Sequence, residues 1–163
     1  MIWQTLKWQK LFLVLRKGKH NMTSTSQIEF SEVKSLGERD WGEELLLGVC
    51  SGKFTFKKLE MNAGASGGLQ YHHKKDEFGF LVNGTLRITY DDGSGKLVHK
   101  DLHDGDNFHF PPGVVHKETA ITACTILEVS TPYLNDRVRV EEKYGIDDNT
   151  GMPSTKVEDV VEL

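Results

Sequence analysis

The sequence contains few cysteines and no apolar run long enough to cross a bilayer. Its two cysteines, Cys50 and Cys124, stand far apart without a C-x-x-C motif, which argues against a disulfide framework or a cysteine-based metal site. Unpaired cysteines are typical of a reducing compartment, so we expect a cytoplasmic protein. The apolar run LFLVL has only five residues, too few for a membrane span. We therefore expect no membrane partner.

The chain also lacks an excess of positive charge. Its formal net charge is −4, so nothing favours binding to nucleic acid. Residues 1–21 are the exception, since they hold five Lys or Arg and no Asp or Glu. One interpretation is a short basic segment that seeks a surface. We favour the other, in which residues 1–21 are an extension outside the native fold and Met22 is the ordinary start.

Sustained helical periodicity is absent from residues 53–130, which argues against parallel strands joined by helices. Short strand-like segments occur there instead, with turn residues about every 8–12 positions, the pattern of an all-β domain. Asn83-Gly84 predicts a hairpin, and Pro111-Pro112-Gly113 cannot lie inside a central strand. The pattern predicts an antiparallel jelly roll or sandwich.

We therefore expect one domain over residues 22–146, with residues 53–130 as its core. Residues 147–163 would form a C-terminal tail that ends in a loose arm. The charged segment before the tail could form a short helix or an edge strand.

Polar residues with metal-binding chemistry cluster in the stretch GLQYHHKKDEFGFLVNG, residues 68–84. Residues two apart on a strand face the same side, so Gln70 shares a face with His72, and Tyr71 with His73. Glu77 opens the next strand, and an antiparallel return can place it opposite Gln70 and His72.

A second histidine, His116, lies on a later strand. Together with Gln70, His72 and Glu77 it would offer an amide oxygen, two imidazoles and a carboxylate. That set suits a divalent ion, with zinc preferred and Mn, Fe, Co or Ni as alternatives. Two other interpretations stay open, a register in which Tyr71 and His73 replace Gln70 and His72, and surface histidines that bind nothing.

His109 stands between Phe108 and Phe110. If the two phenylalanines face the core between the sheets, His109 faces the cavity and is a candidate general base. A hydrogen-bonded strand histidine without a catalytic role is the alternative.

These patterns resemble the two motifs of the cupin superfamily. The first motif ends in a glutamate and a glycine with six residues between them, as in Glu77 and Gly84, although Gln70 stands where its first histidine is usual. The second reads glycine, five residues, Pro-x-Gly, two residues, histidine, which Gly105 to His116 fit at every position. Its usual final asparagine is Ala120. The resemblance implies a double-stranded β-helix barrel, and also a homodimer.

A narrower resemblance points to the type II mannose-6-phosphate isomerase group. Gln70-x-His72 is similar to the first ligands of that group, and the similarity covers about residues 39–145. The other matching segments are Arg39-Asp40-Trp41-Gly42, Tyr133-Leu134 and Val138 to Gly145. Arg139 matches an arginine of the group and would pair with a substrate phosphate. The group's final arginine is replaced by Ile146, which weakens the expectation of isomerase activity.

The resemblance implies a metal-dependent isomerase or epimerase that acts on a phosphorylated or nucleotide-linked sugar. Two alternatives remain, an iron or manganese dioxygenase and a sugar- or metal-binding cupin without turnover. One fold hosts many functions, so the site must decide among them.

Overall fold

The computed structural model describes residues 28–147 and 152–163. The predicted extension over residues 1–21 and the start at Met22 lie outside the described residues.

The described residues form eleven strands in two antiparallel sheets. The strands are β1 Lys34–Arg39, β2 Gly42–Cys50, β3 Phe54–Met61, β4 Gln70–Tyr71, β5 Glu77–Asn83, β6 Leu86–Asp91, β7 Leu97–Leu102, β8 Asn107–Phe110, β9 His116–Ala120, β10 Cys124–Ser130 and β11 Val138–Arg139. The six-stranded sheet has the order β1-β2-β3-β10-β5-β8, and the five-stranded sheet the order β11-β4-β9-β6-β7. Short 3-10 helices span Glu141–Tyr144 and Val157–Asp159. The predicted all-β jelly roll is confirmed.

The turn at Asn83-Gly84 differs from its prediction. It joins β5 to β6, but β5 pairs with β8 and β10, whereas β6 pairs with β7 and β9. The turn therefore carries the chain from one sheet to the other and closes no hairpin. Gly84 has φ +99°, and a Cβ there would lie 2.4 Å from the carbonyl oxygen of Ala123. The chain at the start of β10 therefore leaves no room for a side chain at position 84, and the residue there must be glycine.

One end of the barrel is filled with apolar side chains from both sheets. The cluster consists of Leu59, Met61, Leu81, Leu86, Ile88, Leu102, Phe110, Ala120, Cys124 and Ile126. Phe108 packs against it from β8 and covers its cross-strand partner Gly79, where an added Cβ would lie 2.1 Å from the ring. This packed end fixes how the two sheets meet, and it positions the opposite end, where the polar side chains lie.

The C-terminal residues 152–163 are packed against the domain, so the prediction of a loose arm is wrong for them. Leu163 lies against a small cluster formed by Leu36, Leu46 and Leu134. Its backbone also donates to Pro132 and accepts from Gly52. The charged, turn-rich segment showed no periodic pattern that would predict this docking, which rests on Leu163, on backbone hydrogen bonds and on side-chain hydrogen bonds of Asn135.

The outer face of the six-stranded sheet exposes apolar side chains. They belong to three adjacent strands and include Phe54, Phe78, Phe80, Val82 and Val129, each 40% exposed or more. On the part of the chain that the structure describes, no helix reaches the length and apolarity that a membrane crossing requires.

Candidate metal centre

The four predicted ligands come from both sheets and meet inside the barrel. Gln70 on β4 is the cross-strand partner of His116 on β9, and His72 follows Gln70 on the same face. Glu77 begins β5 in the opposite sheet. All four line one cavity, and His72, Glu77 and His116 are buried.

The strand phase of the paired histidines agrees with the sequence. His72 lines the cavity, whereas Tyr71 and His73 do not. The rings of Tyr71 and His73 instead meet edge to face, with centroids 5.5 Å apart. The alternative register, with Tyr71 and His73 as ligands, is therefore wrong.

The donor atoms are spaced as ligands of one ion. The Nε2 atom of His72 lies 2.9 Å from Oε2 of Glu77, and Nε2 of His116 lies 3.6 Å from the same oxygen. All three donors lie within 4.8 Å of one another. Donors bound to one ion at about 2.1 Å lie roughly 3–3.5 Å apart, close to these separations.

Backbone carbonyls fix the tautomers of both imidazoles. Nδ1 of His72 contacts the carbonyl oxygen of Asp136, and Nδ1 of His116 lies 2.9 Å from that of Val114. A carbonyl only accepts, so each Nδ1 carries the proton and each Nε2 lone pair faces Glu77. Nε2 of His72 is buried and makes no hydrogen bond to any described residue. A buried acceptor without a donor is satisfied by a bound cation.

The charge states also suit a cation. Burial lowers the pKa of His116 to about 4, so its imidazole is neutral at physiological pH. Burial opposes ionisation of Glu77, but the ammonium of Lys75 holds the pKa of that carboxyl well below its usual range. The site thus offers the neutral imidazole of His116 and the carboxylate of Glu77, the forms that bind metal.

Lys75 occupies the other oxygen of Glu77. Its ammonium contacts Oε1 of Glu77 and lies 3.4 Å from Oε1 of Glu128. Oε2 of Glu77 is thereby left facing the two imidazoles. Lys75 is itself only 5% exposed, so this contact is poorly screened by solvent.

A buried ladder of alternating charges continues from Lys75 across the six-stranded sheet. Lys57 lies 2.6 Å from Glu128 and 3.2 Å from Glu44, and Glu44 lies 2.7 Å from Arg39. Burial disfavours the charged forms, yet Lys57 lowers the pKa of Glu44 to about 2, and Glu128 raises the pKa of Lys57. We call Arg39, Glu44, Lys57, Glu128, Lys75 and Glu77 the charge ladder.

The cavity holding these groups has a volume of about 700 Å³, within the range of small-molecule sites. Trp41, Glu118 and three arginines also line it. Glu118 follows His116 by two positions on β9 and therefore shares its inward face. Burial, together with the negative charges of Glu77 and Glu128, raises the pKa of Glu118 to about 8.

Glu118 and the lysines of the charge ladder were not predicted from the sequence. The inward orientation of Glu118 was predictable, because it lies two residues after His116 on the same strand. The burial of Lys57 and Lys75 was not predictable, because lysines are ordinarily exposed to solvent.

His109 lies outside the cavity, which contradicts its predicted orientation. Phe108 and Phe110 line the cavity, and His109 faces the opposite side of the sheet. Its imidazole is 51% exposed and lies 2.6 Å from the carboxylate of Asp76. The core and the cavity share the inner face of the barrel, so a residue between two inward phenylalanines points outward.

Arg139 lies where the prediction requires it, on the cavity wall. Its Nε donates to Oε1 of Glu141 at 2.6 Å, and its Nη2 contacts the same oxygen. Ile146 does not line the cavity; its backbone N–H donates to the carbonyl oxygen of Glu141.

A jelly roll that brings two imidazoles and a carboxylate within 4.8 Å of one another forms a candidate metal site. Residues 57–130 match the model of the cupin domain family. No curated protein sequence matches the chain.

Solved structures share the fold. A Mn(II)-containing oxalate decarboxylase from Bacillus subtilis is 25% identical, with a TM-score of 0.54, over 68% of this chain and 30% of that chain. An RmlC-like cupin from Shewanella frigidimarina is 22% identical, with a TM-score of 0.52, over 69% of this chain and 96% of that chain. A further oxalate decarboxylase structure is 20% identical, with a TM-score of 0.61 and 88% of this chain covered.

The chain spans less than half the length of the oxalate decarboxylases, 30% in one case and 46% in the other. At identities below 25% the likeness shows the fold alone. The structure and these matches support a site for a divalent metal in general. The narrower resemblance to mannose-6-phosphate isomerases stays a prediction.

Proposed function

We propose that the protein is a metal-dependent isomerase of a phosphorylated sugar, interconverting an aldose and a ketose. The observation that carries this proposal is the coexistence, in one cavity of about 700 Å³, of the ligand set around Glu77 and of several arginines. A divalent ion held by this ligand set would bind the oxygens of a carbonyl and a hydroxyl. The arginines suit a phosphate.

The residues that would hold the metal are Gln70, His72, Glu77 and His116. A bound divalent ion supplies Lewis-acid polarisation of a substrate's carbonyl and hydroxyl oxygens. We propose zinc as the resident ion, because two histidines and one carboxylate with an open position match catalytic zinc sites. The manganese of the Bacillus subtilis oxalate decarboxylase is the alternative.

Isomerisation requires a group that moves a proton between adjacent carbons. Because His109 faces solvent, Glu118 replaces it as the proposed group, since its carboxyl faces the same cavity as the ligands. Trp41 adds an apolar surface on the cavity wall, against which a sugar ring can stack.

Oxalate decarboxylation is a second candidate, favoured by the 25% identity to the manganese enzyme. Against it stands the cavity, which is far larger than a two-carbon diacid requires. An iron or manganese dioxygenase and a binding protein without turnover remain as further outcomes of the test.

The test begins with the metal content of purified protein, measured by mass spectrometry. The same preparation is incubated in D₂O with aldose and ketose 6-phosphates, and deuterium uptake at C2 is followed by NMR. We expect one ion per chain and C2 exchange. A metal-loaded protein that exchanges none of these sugars would falsify the isomerase. Release of CO₂ from oxalate, or uptake of oxygen with bound iron, would identify an alternative.

Matched variants locate any activity. His72→Ala is expected to abolish exchange, while His109→Ala, at the exposed histidine, is expected to leave it near wild type. Glu118→Gln is expected to bind the metal but to exchange slowly. Loss of exchange in His109→Ala with full activity in Glu118→Gln would reverse the assignment of the proton-transfer group.

The proposal also covers the setting of the protein. We propose a cytoplasmic homodimer, as the resemblance implies. The free thiols of Cys50 and Cys124 fit a reducing compartment. The exposed phenylalanines and valines on the outer face of the six-stranded sheet are the surface that a second copy would cover. Light scattering measures the mass, and Phe80→Glu is expected to shift it towards the monomer.

A further inference from the structure

The three arginines of the cavity differ in their partners. Arg39 pairs with Glu44 at 2.7 Å, and Arg139 pairs with Glu141. Arg137 forms no ion pair within 4 Å with any described carboxylate, and its Nη2 makes one long hydrogen bond, 3.4 Å to the carbonyl oxygen of Leu134. A guanidinium has five N–H donors in a planar fork, so most of those on Arg137 are available to a ligand.

The position of Arg137 relates it to the metal ligands. It follows Asp136, whose backbone carbonyl contacts Nδ1 of His72. The Asp136 carboxylate accepts from the backbone N–H groups that lead from His73 to Lys75. The segment that carries Arg137 is therefore fixed to the loop that carries the ligands.

The C-terminal arm holds the same segment from the other side. The backbone N–H of Thr155 donates to the carbonyl oxygen of Arg137 at 2.8 Å, and Ser154 accepts from the N–H of Arg139. The backbone at Arg137 is thus held on both sides, while its side chain lines the cavity. A fixed cation in a shielded cavity binds anions more strongly than one on a mobile surface chain.

Electrostatics favour an anion here. Burial lowers the pKa of Arg137, and the neighbouring Arg39 and Arg139 lower it further, although Glu44 and Glu77 oppose this. The guanidinium is thus desolvated, and a bound anion offsets that cost.

We propose that Arg137 binds the anionic group of the substrate, a phosphate or a carboxylate, in the cavity that the metal ligands line. The inference rests on the proposed function for its substrate class and deepens it. Ile146 stands where the mannose-6-phosphate isomerase group carries an arginine. Arg137 would supply to the cavity the positive charge that is missing at position 146.

The test compares Arg137→Gln with Arg87→Gln, a matched change at an arginine on β6 that pairs with exposed Asp101. Calorimetry with inorganic phosphate and, separately, with oxalate measures anion affinity on metal-loaded protein. We expect Arg137→Gln to lose at least about ten-fold in affinity for one of these anions, the value of a charged hydrogen bond. Metal content is expected to stay at the wild-type level, and Arg87→Gln to bind like wild type.

Arg137→Lys keeps the charge and loses the fork, so a smaller loss is expected. It also serves if thermal melting shows that Arg137→Gln does not fold. Unchanged affinity for both anions in folded Arg137 variants, or no anion binding by the wild type, would overturn the inference. Anion binding that depends on Arg137 in a protein without C2 exchange would uphold the inference and refute the isomerase.

Discussion

The two ends of the barrel interior use the same strands for opposite purposes. On β3, Lys57 faces inward at the polar end, while Leu59 and Met61 face inward at the apolar end. On β10, Glu128 pairs in register with Lys57, and Ile126 with Leu59. A single boundary across both strands therefore divides charged from apolar interior.

The difference separates stability from function. Burial of apolar side chains stabilises the fold by about 25 cal/mol per Å². Buried ion pairs contribute little net stability, because desolvation offsets their attraction, and apolar replacements are often neutral or better. Net stability therefore does not account for the polar end, and substitutions at the two ends are expected to fail in different assays.

The largest effect is expected from the imidazole ligands at the polar end. His72→Ala should weaken metal binding by more than the roughly 10–100-fold that loss of an outer partner costs, because it removes a donor atom itself. Metal titration of the apo protein measures this affinity. His73→Ala, on the opposite strand face, is the control. Equal metal affinities for the two variants would contradict the assignment of His72.

The next effect concerns the charge ladder. Lys57→Met alone leaves Glu128 without its closest cation, and it should destabilise the protein by about 3–5 kcal/mol. The double variant Lys57→Met, Glu128→Leu should recover most of that loss, because Glu44 keeps Arg39 and Lys75 keeps Glu77. Urea unfolding measures both free energies. A double variant no more stable than Lys57→Met would show that the ladder stabilises the fold.

At the apolar end, Leu81→Ala should cost about 3 kcal/mol of unfolding free energy, from lost burial and a cavity. Leu81 is fully buried, whereas its neighbour Val82 on the outer face is 40% exposed, so Val82→Ala is the matched control. Metal affinity should not change in either folded variant. A large loss of metal affinity in Leu81→Ala would show that metal binding at the polar end depends on packing at the apolar end.

The smallest effect is expected at Lys75, where two contributions oppose each other. Its removal loosens Glu77, but it also removes a cation beside a divalent ion, and at an effective dielectric of ~20 that repulsion amounts to several kcal/mol at ~5 Å. We therefore expect Lys75→Met to bind metal about ten-fold more tightly than wild type, with exposed Lys74→Met as the control. Weaker binding would assign Lys75 the role of orienting Glu77.

The strands from β3 to β10 were predictable from the sequence because turn residues bound them, and β3, β5 and β10 also alternate in burial. No prediction was made for β1 and β2, whose residues show no clear alternation. Asn83-Gly84 indicated a turn but not its partners, since a change of sheet depends on long-range pairing.

The candidate site was predictable where strand phase decides orientation. Two-residue alternation grouped Gln70 with His72 and Tyr71 with His73, and the cupin resemblance favoured the first pair. Alternation misplaced His109, because the cavity was assumed to lie on the side away from the core. The roles of Lys75 and Arg137 depend on contacts across the barrel, which no local pattern encodes.

The charge ladder has a consequence for how stability varies with temperature. Unfolding exposes both the charged interior and the apolar end to water. Exposure of apolar surface raises the heat-capacity change of unfolding, whereas exposure of polar surface lowers it. The heat-capacity change per residue should therefore fall below the usual ~12–15 cal/mol/K. A smaller heat-capacity change flattens the stability curve, so this barrel should lose little stability on cooling or moderate warming.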